Sequence, residues 1–256
     1  MPFKSEVVWH PDGVSPSTLL SDVATAVWRR RNPQWPLRHP EREMPHLELT
    51  LAGMPRYLVD QSLVAIAARR HGIEGQPWIT ADARAKLETM LRPTDQALEF
   101  GSGGSTEWLA RHVGSLRSVE GFDAWHDPLA ERLAARRVDN VQLLLVSADK
   151  LGHHTEEHRQ AYVNAHPDVE PESLDVVFVD GEYRDDTALR GIELLRPGGL
   201  FVLDNANTYL PSPTRTPWKV HAPASVGWAQ FLVQVAGWRY FWTTNGNWDT
   251  TIWIKP

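Results

Sequence analysis

Between Gln96 and Asp204, short apolar runs alternate with longer amphipathic segments, and this alternation leaves the chain few architectures. The length of each run and the turn residues around it favour a strand over a buried helix. Strands are expected at Gln96–Phe100, Leu116–Glu120, Val141–Val146, Leu174–Asp180 and Leu200–Asp204. Helices are expected over Glu107–Val113, Trp125–Arg137, Glu156–Ala165 and Asp186–Leu195. Strands separated by helices join in parallel, so the fold class is α/β with a doubly wound, mostly parallel sheet. Upstream, Thr80 suits the N-cap of a helix running through Leu91, with Ala83, Leu87, Met90 and Leu91 on one face. Downstream come a helix over Val226–Val235 and two closely spaced strands, Trp238–Thr244 and Thr250–Ile254. The stretch NGNWD between those strands predicts a C-terminal antiparallel hairpin, which brings the sheet to seven strands.

Residues 1–78 form a separate region, expected to be a mainly helical extension or cap on a domain spanning 79–256. Its first helix has Ser15 as N-cap, Pro16 at the first helical position and an apolar face of Leu19, Leu20, Val23, Ala24, Val27 and Trp28. A proline-rich connection, Pro33 to Pro55, leads to a second helix near Tyr57–Arg70. Arg29 to Arg31 end the first helix, where cations suit the dipole. No other basic run exists and the net charge is -6, which argues against a nucleic-acid partner. With no cysteine, disulfides, thiolate metal sites and cysteine nucleophiles are excluded. The sequence contains neither a membrane-length apolar stretch nor, in MPFKSEVVWHPDG, a secretory signal. Together these features favour a cytoplasmic protein that binds neither nucleic acid nor membrane, and they are compatible with a homo-oligomer.

The stretch ALEFGSGGSTEWLA, residues 97–110, sets a glycine turn between the first strand and the next helix. Backbone N–H groups at such a turn suit a nucleotide-like ligand. A dinucleotide fingerprint requires a third glycine five residues after Gly101, where Thr106 stands. Glu99, just before the turn, disfavours a pyrophosphate and suits a ligand bearing an ammonium group, as S-adenosylmethionine does. With EFGSGGST, VDGEYRDD and LLRPGGLFVLDN in this order, the chain resembles the class I S-adenosylmethionine-dependent methyltransferases over about residues 80–256.

The resemblance implies a Rossmann-like fold and a set of cofactor contacts. Glu99, Gly101, Ser102, Gly103, Gly104, Ser105 and Thr106 correspond to the first motif, with Ser105 where a glycine is common. Glu120, ending the second strand, corresponds to the acid that grips both ribose hydroxyls, and Gly121 and Phe122 follow it. Ala148 and Asp149 correspond to the adenine edge, and Asp180 ends the fourth strand beside the cofactor. The implied activity is methyl transfer to a small molecule, expected at a hydroxyl oxygen. The alternatives are N-methylation and non-catalytic cofactor binding.

Methyl transfer is an in-line displacement, and a hydroxyl acceptor must also lose its proton. Asp180, Asp204 and His126 are the catalytic candidates, with His221 as a further histidine within reach of the acceptor. Catechol-type O-methyltransferases hold a divalent cation with an Asp and an Asp-Asn pair, so by resemblance Asp180, Asp204 and Asn205 are candidate ligands for Mg²⁺. Tyr183 replaces the lysine base of those enzymes, which leaves a metal-free reading open. His154 and His158 sit four apart among charged residues, as on a solvated helix face. The proline-rich loop Ala206–Ala224, with Tyr209 and Trp218, is a candidate wall of the acceptor pocket, together with Trp9, Trp35 and Trp78.

Overall fold

A computed structural model of the protein describes residues 75–256, except 153, 215 and 217. The expected N-terminal helices, with Trp9 and Trp35, lie outside the described residues.

Thr80 caps the first described helix, α1 (Ala81–Met90), by accepting from Ala83 N at 3.3 Å, and α1 buries Ala83 and Leu87. The strands are β1 (Gln96–Phe100), β2 (Ser115–Glu120), β3 (Val141–Leu145), β4 (Leu174–Val179), β5 (Leu195–Asp204), β6 (Arg239–Thr244) and β7 (Asp249–Ile254). Between them run α2 (Gly104–Ala110), α3 (Asp123–Ala135), α4 (Ala148–Leu151), α5 (Glu156–Val163), α6 (Arg184–Leu194) and α7 (Val226–Gln234). The sheet order is β3-β2-β1-β4-β5-β7-β6. β1 to β5 are parallel, whereas β7 runs antiparallel to both β5 and β6. This is the doubly wound seven-stranded arrangement with a terminal hairpin that the alternation implied.

β4 lies at the centre, and Val176, Val177, Phe178 and Val179 are fully buried because helices cover both faces of the sheet. On one face Leu98, Phe100, Val177, Phe201 and Trp253 pack with Tyr162, Ile192, Trp228 and Phe231 from α5, α6 and α7. On the other, Ala97, Val176, Phe178, Val202 and Ile252 pack with Leu87, Trp108 and Leu109.

Several element boundaries differ from expectation by a residue or more, and two of the shifts have clear local reasons. α2 begins at Gly104 rather than Glu107, because the Thr106 hydroxyl accepts the Gly103 N–H at 2.9 Å and closes the first turn early. β5 begins at Leu195, where RPGG loops out between two paired stretches: Leu174 faces Leu195, and the register resumes with Val176 facing Leu200.

The turn after β1 is held from below by Glu99. This carboxylate is fully buried and accepts from the hydroxyls of Thr106 and Ser118, both at 2.6 Å. Burial pushes its carboxyl up to about 7, with hydroxyl donors from Ser105, Ser118 and Thr106 only partly opposing the shift. Above it, Gly101 takes φ +95 and lies against Gly181, the residue that follows Asp180 at the end of β4. A Cβ at Gly101 would overlap the backbone nitrogen and Cα of Gly181.

Two stability predictions follow from this turn. Gly101→Ala combines a positive φ with a backbone clash, and is expected to cost about 1–3 kcal/mol, read as a fall in urea midpoint. For Glu99, the folded chain binds more protons than the unfolded one between 4.5 and about 7. Stability contributed at this position therefore falls as pH rises through that window. Glu99→Gln is expected to exceed the native chain in stability by about 1–3 kcal/mol near pH 8, with the gain vanishing towards pH 5. An equal difference at both pH values would show that Glu99 is ionised throughout.

Candidate active site

The C-terminal ends of β1, β2, β4 and β5 surround a cavity of about 280 Å³. An open α/β sheet binds its ligands at this end. Gly101 to Ser105 form its floor, Glu120 and Phe122 one side, and Asp180, Gly181, Glu182, Arg184 and Asn205 the other. Trp78 and Trp125, 60% and 41% exposed, stand at its mouth with Gln76.

On the β2 side, Glu120 Oε2 accepts from Ser102 N at 3.0 Å and Ser102 Oγ at 2.8 Å. Its Oε1 accepts from Gly121 N at 2.9 Å and Phe122 N at 3.0 Å. Burial raises the Glu120 carboxyl above its usual range, and these four donors oppose that shift. The result is a fixed acceptor aimed along the glycine turn, suited to a pair of neighbouring hydroxyls.

The β4 and β5 ends are joined by Arg184. Its Nε donates to Gly181 O at 2.9 Å. Nη1 donates to Asp204 O at 2.8 Å and Asn205 Oδ1 at 3.1 Å. Nη2 donates to Asp180 O at 2.6 Å and Asp180 Oδ1 at 2.7 Å. Burial raises the Asp180 carboxyl, and the guanidinium beside it pulls the other way. Asp204 faces away from the cavity: Thr250 Oγ1 donates to its Oδ1 at 2.7 Å and Asn205 Nδ2 to its Oδ2 at 2.9 Å. Burial, with the charge of Asp180 adding to it, pushes Asp204 up to about 8. Of the three candidate metal ligands, Asp180 and Asn205 line the cavity and Asp204 does not. Asp180 and Asn205 are already spanned by a cation of the chain itself, and Asp204 is turned into the sheet. Among the described residues no group of three or more His, Asp or Glu side chains is placed to hold a metal.

The cavity brings together Gly101, Ser102, Gly103, Gly104, Ser105, Glu120, Phe122, Asp180 and Asn205 of the expected set. Others fall outside it. Glu99 and Thr106 are fully buried under the turn, so they shape the backbone there and do not face a ligand. Gly121 accepts from Ala148 N at 2.9 Å. Ala148 is fully buried and Asp149 lies on the exposed side of α4, and neither lines the cavity. Asp204 is excluded by the contacts just described. His126 pairs with Asp127 at 2.9 Å on α3 and is not among the lining residues.

The remaining expectations fare unevenly. His158 is not on a solvated face: it is fully buried, with Nδ1 2.8 Å from Tyr183 Oη and Nε2 2.9 Å from Val146 O. Tyr183 is thereby drawn into the helical layer and is no substitute for the lysine base. His221 is exposed and lines no part of the cavity. None of the described residues of 206–224 lines it either. Tyr209 packs against Trp228 at 5.2 Å and Trp218 stacks on Trp248 at 5.7 Å. Asp249 straps the same loop by accepting from Ser212 Oγ at 2.6 Å and Thr214 Oγ1 at 2.7 Å.

Gln76, Trp125, Tyr162, Gly181, Glu182 and Arg184 also line the cavity, outside the expected set. Arg184 carried a signal. It occupies the first position of α6, where the dipole disfavours a cation, so an arginine there must be met by strong acceptors.

A family model described as a methyltransferase domain matches residues 98–206. No curated protein matches the sequence. Among solved structures, the O-methyltransferase TomG of Streptomyces achromogenes, involved in tomaymycin synthesis and solved with SAM, is 20% identical. That likeness covers 95% of this chain and 100% of TomG, with a TM-score of 0.47. A methyltransferase-like protein of Silicibacter pomeroyi is 20% identical over 72% of this chain and 91% of its own, with a TM-score of 0.49. The O-methyltransferase of Bacillus cereus, solved with SAH, is 15% identical over 77% of this chain and 91% of its own, with a TM-score of 0.48. The segment that resembles a methyltransferase domain runs from within β1 to just past the end of β5, and it supplies the strand ends that build the cavity.

Proposed function

We propose that the chain transfers the methyl group of S-adenosylmethionine to a hydroxyl oxygen of a small molecule. One observation carries this reading: Glu120 and Asp180 flank the Gly101–Gly104 turn from opposite sides of a single cavity. Glu120 is the acceptor for the ribose hydroxyls, so the methionine end runs over the turn towards Asp180. Asp180 Oδ1 is held by Arg184, and the residue lines the cavity, which leaves Oδ2 to accept from the incoming hydroxyl. The acceptor's proton passes to Asp180 as its oxygen bonds the methyl carbon. The S–C bond breaks with its electron pair left on sulfur, and S-adenosylhomocysteine departs as a neutral thioether.

A cavity of about 280 Å³, open at its mouth, suits small ligands rather than a polymer. A net charge of -6 opposes a polyanionic one. Trp78 and Trp125 offer flat apolar surfaces at the mouth, where the acceptor enters. No helix among the described residues is long and apolar enough to cross a membrane.

Glu120→Ala is expected to weaken S-adenosylmethionine binding by about 1–3 kcal/mol, read by calorimetry, because the ribose hydroxyls lose their acceptor. Unchanged affinity would place the ribose elsewhere. Labelled S-adenosylmethionine offered with a panel of hydroxyl, amine and carboxyl acceptors tests the atom. Label is expected on hydroxyl oxygen, with Asp180→Asn lowering kcat by about 10²–10⁴-fold and leaving cofactor affinity nearly intact. Label recovered only on nitrogen would overturn the oxygen reading.

A further inference from the structure

Arg184 stands where the resemblance leads one to expect a divalent ion, and its surroundings are those of a resident cation. The side chain is 10% exposed. A guanidinium has five N–H groups, and here all five are used, on Gly181 O, Asp204 O, Asn205 Oδ1, Asp180 O and Asp180 Oδ1. The Tyr209 ring lies 5.3 Å from the guanidinium carbon and closes off a retreat to that side. Its place at the start of α6 works against the helix dipole, so the acceptors at the two strand ends must hold the charge there. A metal ion at the same oxygens would meet a positive charge within bonding distance, in a poorly solvated pocket.

We propose that Arg184 is the built-in counterion of this cleft, taking the place of a divalent ion between Asp180 and Asn205, so that methyl transfer proceeds without a metal and without chelation of the acceptor. The inference rests on the cleft being the methyl-transfer site. It also narrows the acceptor class. A metal orients an acceptor through two neighbouring oxygens, whereas a guanidinium with every donor committed has no open position to offer. A lone hydroxyl is then as good a substrate as a vicinal pair. Arg184 is a positioning residue: it fixes the carboxylate of Asp180 and the amide of Asn205 and supplies a constant positive field.

Manganese serves as the probe, because its binding is read by electron paramagnetic resonance independently of turnover. The native chain, with S-adenosylmethionine bound, is expected to leave Mn²⁺ free and to keep its turnover after exhaustive EDTA treatment. Stoichiometric Mn²⁺ uptake, or turnover lost in EDTA and restored by Mn²⁺, would overturn the proposal. Arg184→Ala vacates the position while leaving both oxygens. It is expected to lose about 10²-fold in turnover, to begin binding Mn²⁺ and to recover activity as Mn²⁺ is added. A variant that binds the cofactor normally yet takes up no Mn²⁺ counts against it, since a purely structural arginine would behave that way. If Arg184→Ala does not fold, Arg184→Lys keeps the charge and loses the fork. It is expected to remain blind to Mn²⁺, and uptake by that variant would overturn the idea. Calorimetry with S-adenosylmethionine separates the two readings. Native protein that fails to bind the cofactor removes the methyl-transfer site itself, whereas Mn²⁺ uptake with the cofactor bound removes only the role given to Arg184.

Discussion

At the ends of β1 and β4 the backbone of Gly101 lies against that of Gly181, with no side chain between them. That approach lets the two strands finish level, and the cavity floor follows from it. A side chain at either position would lift the turn away from Asp180 and separate the two halves of the site. Gly181 is confined on its other flank as well, because a Cβ there would overlap the Tyr162 hydroxyl. The close approach is kept in place from two directions. Glu99 draws the turn down through Thr106 and Ser118, and Arg184 draws the β4 end towards the β5 end.

These two anchors use buried charge in different ways. Glu99 is surrounded by hydroxyls, whose hydrogen bonds oppose burial only in part, and its carboxyl rises to about 7. Arg184 is buried among carbonyls, an amide and a carboxylate, a set that satisfies every donor it has. An uncompensated charge in either place would be expensive to bury. Arg184 meets main-chain carbonyls that are already turning at the ends of β4 and β5, whereas Glu99 is met by side-chain hydroxyls.

The layered fold was legible because strand length and apolar content are properties of neighbouring residues. LDVVFV announces a strand buried on both faces, and β4 is one. The turn and Glu120 were legible for the same reason, as a local pattern at a strand end. What could not be read were directions that depend on distant partners. Glu99 was expected to face a ligand, but which way it points is decided by Ser118 on the neighbouring strand. Asp204 was expected in the cleft, and Thr250, forty-six residues on, turns it into the sheet. His158 looks solvated beside its charged neighbours until Tyr183 is brought over it. In each case the deciding contact joins elements that are remote in sequence.

The four hydrogen bonds already made to Glu120 affect what ligand exchange costs. Ser102 donates to this carboxylate through both its backbone N–H and its hydroxyl, and the hydroxyl is the movable one. On the reading proposed above, an arriving ribose hydroxyl would replace another hydroxyl, and the carboxylate would never be stripped bare. Such a swap is nearly neutral in hydrogen-bond count, much like exchanging one water for another. The same swap would run backwards when the spent cofactor leaves, because the ribose is identical before and after methyl transfer. On that reading Ser102 is a placeholder that keeps the grip on the nucleoside reversible, so that one cofactor molecule can leave and the next be taken up.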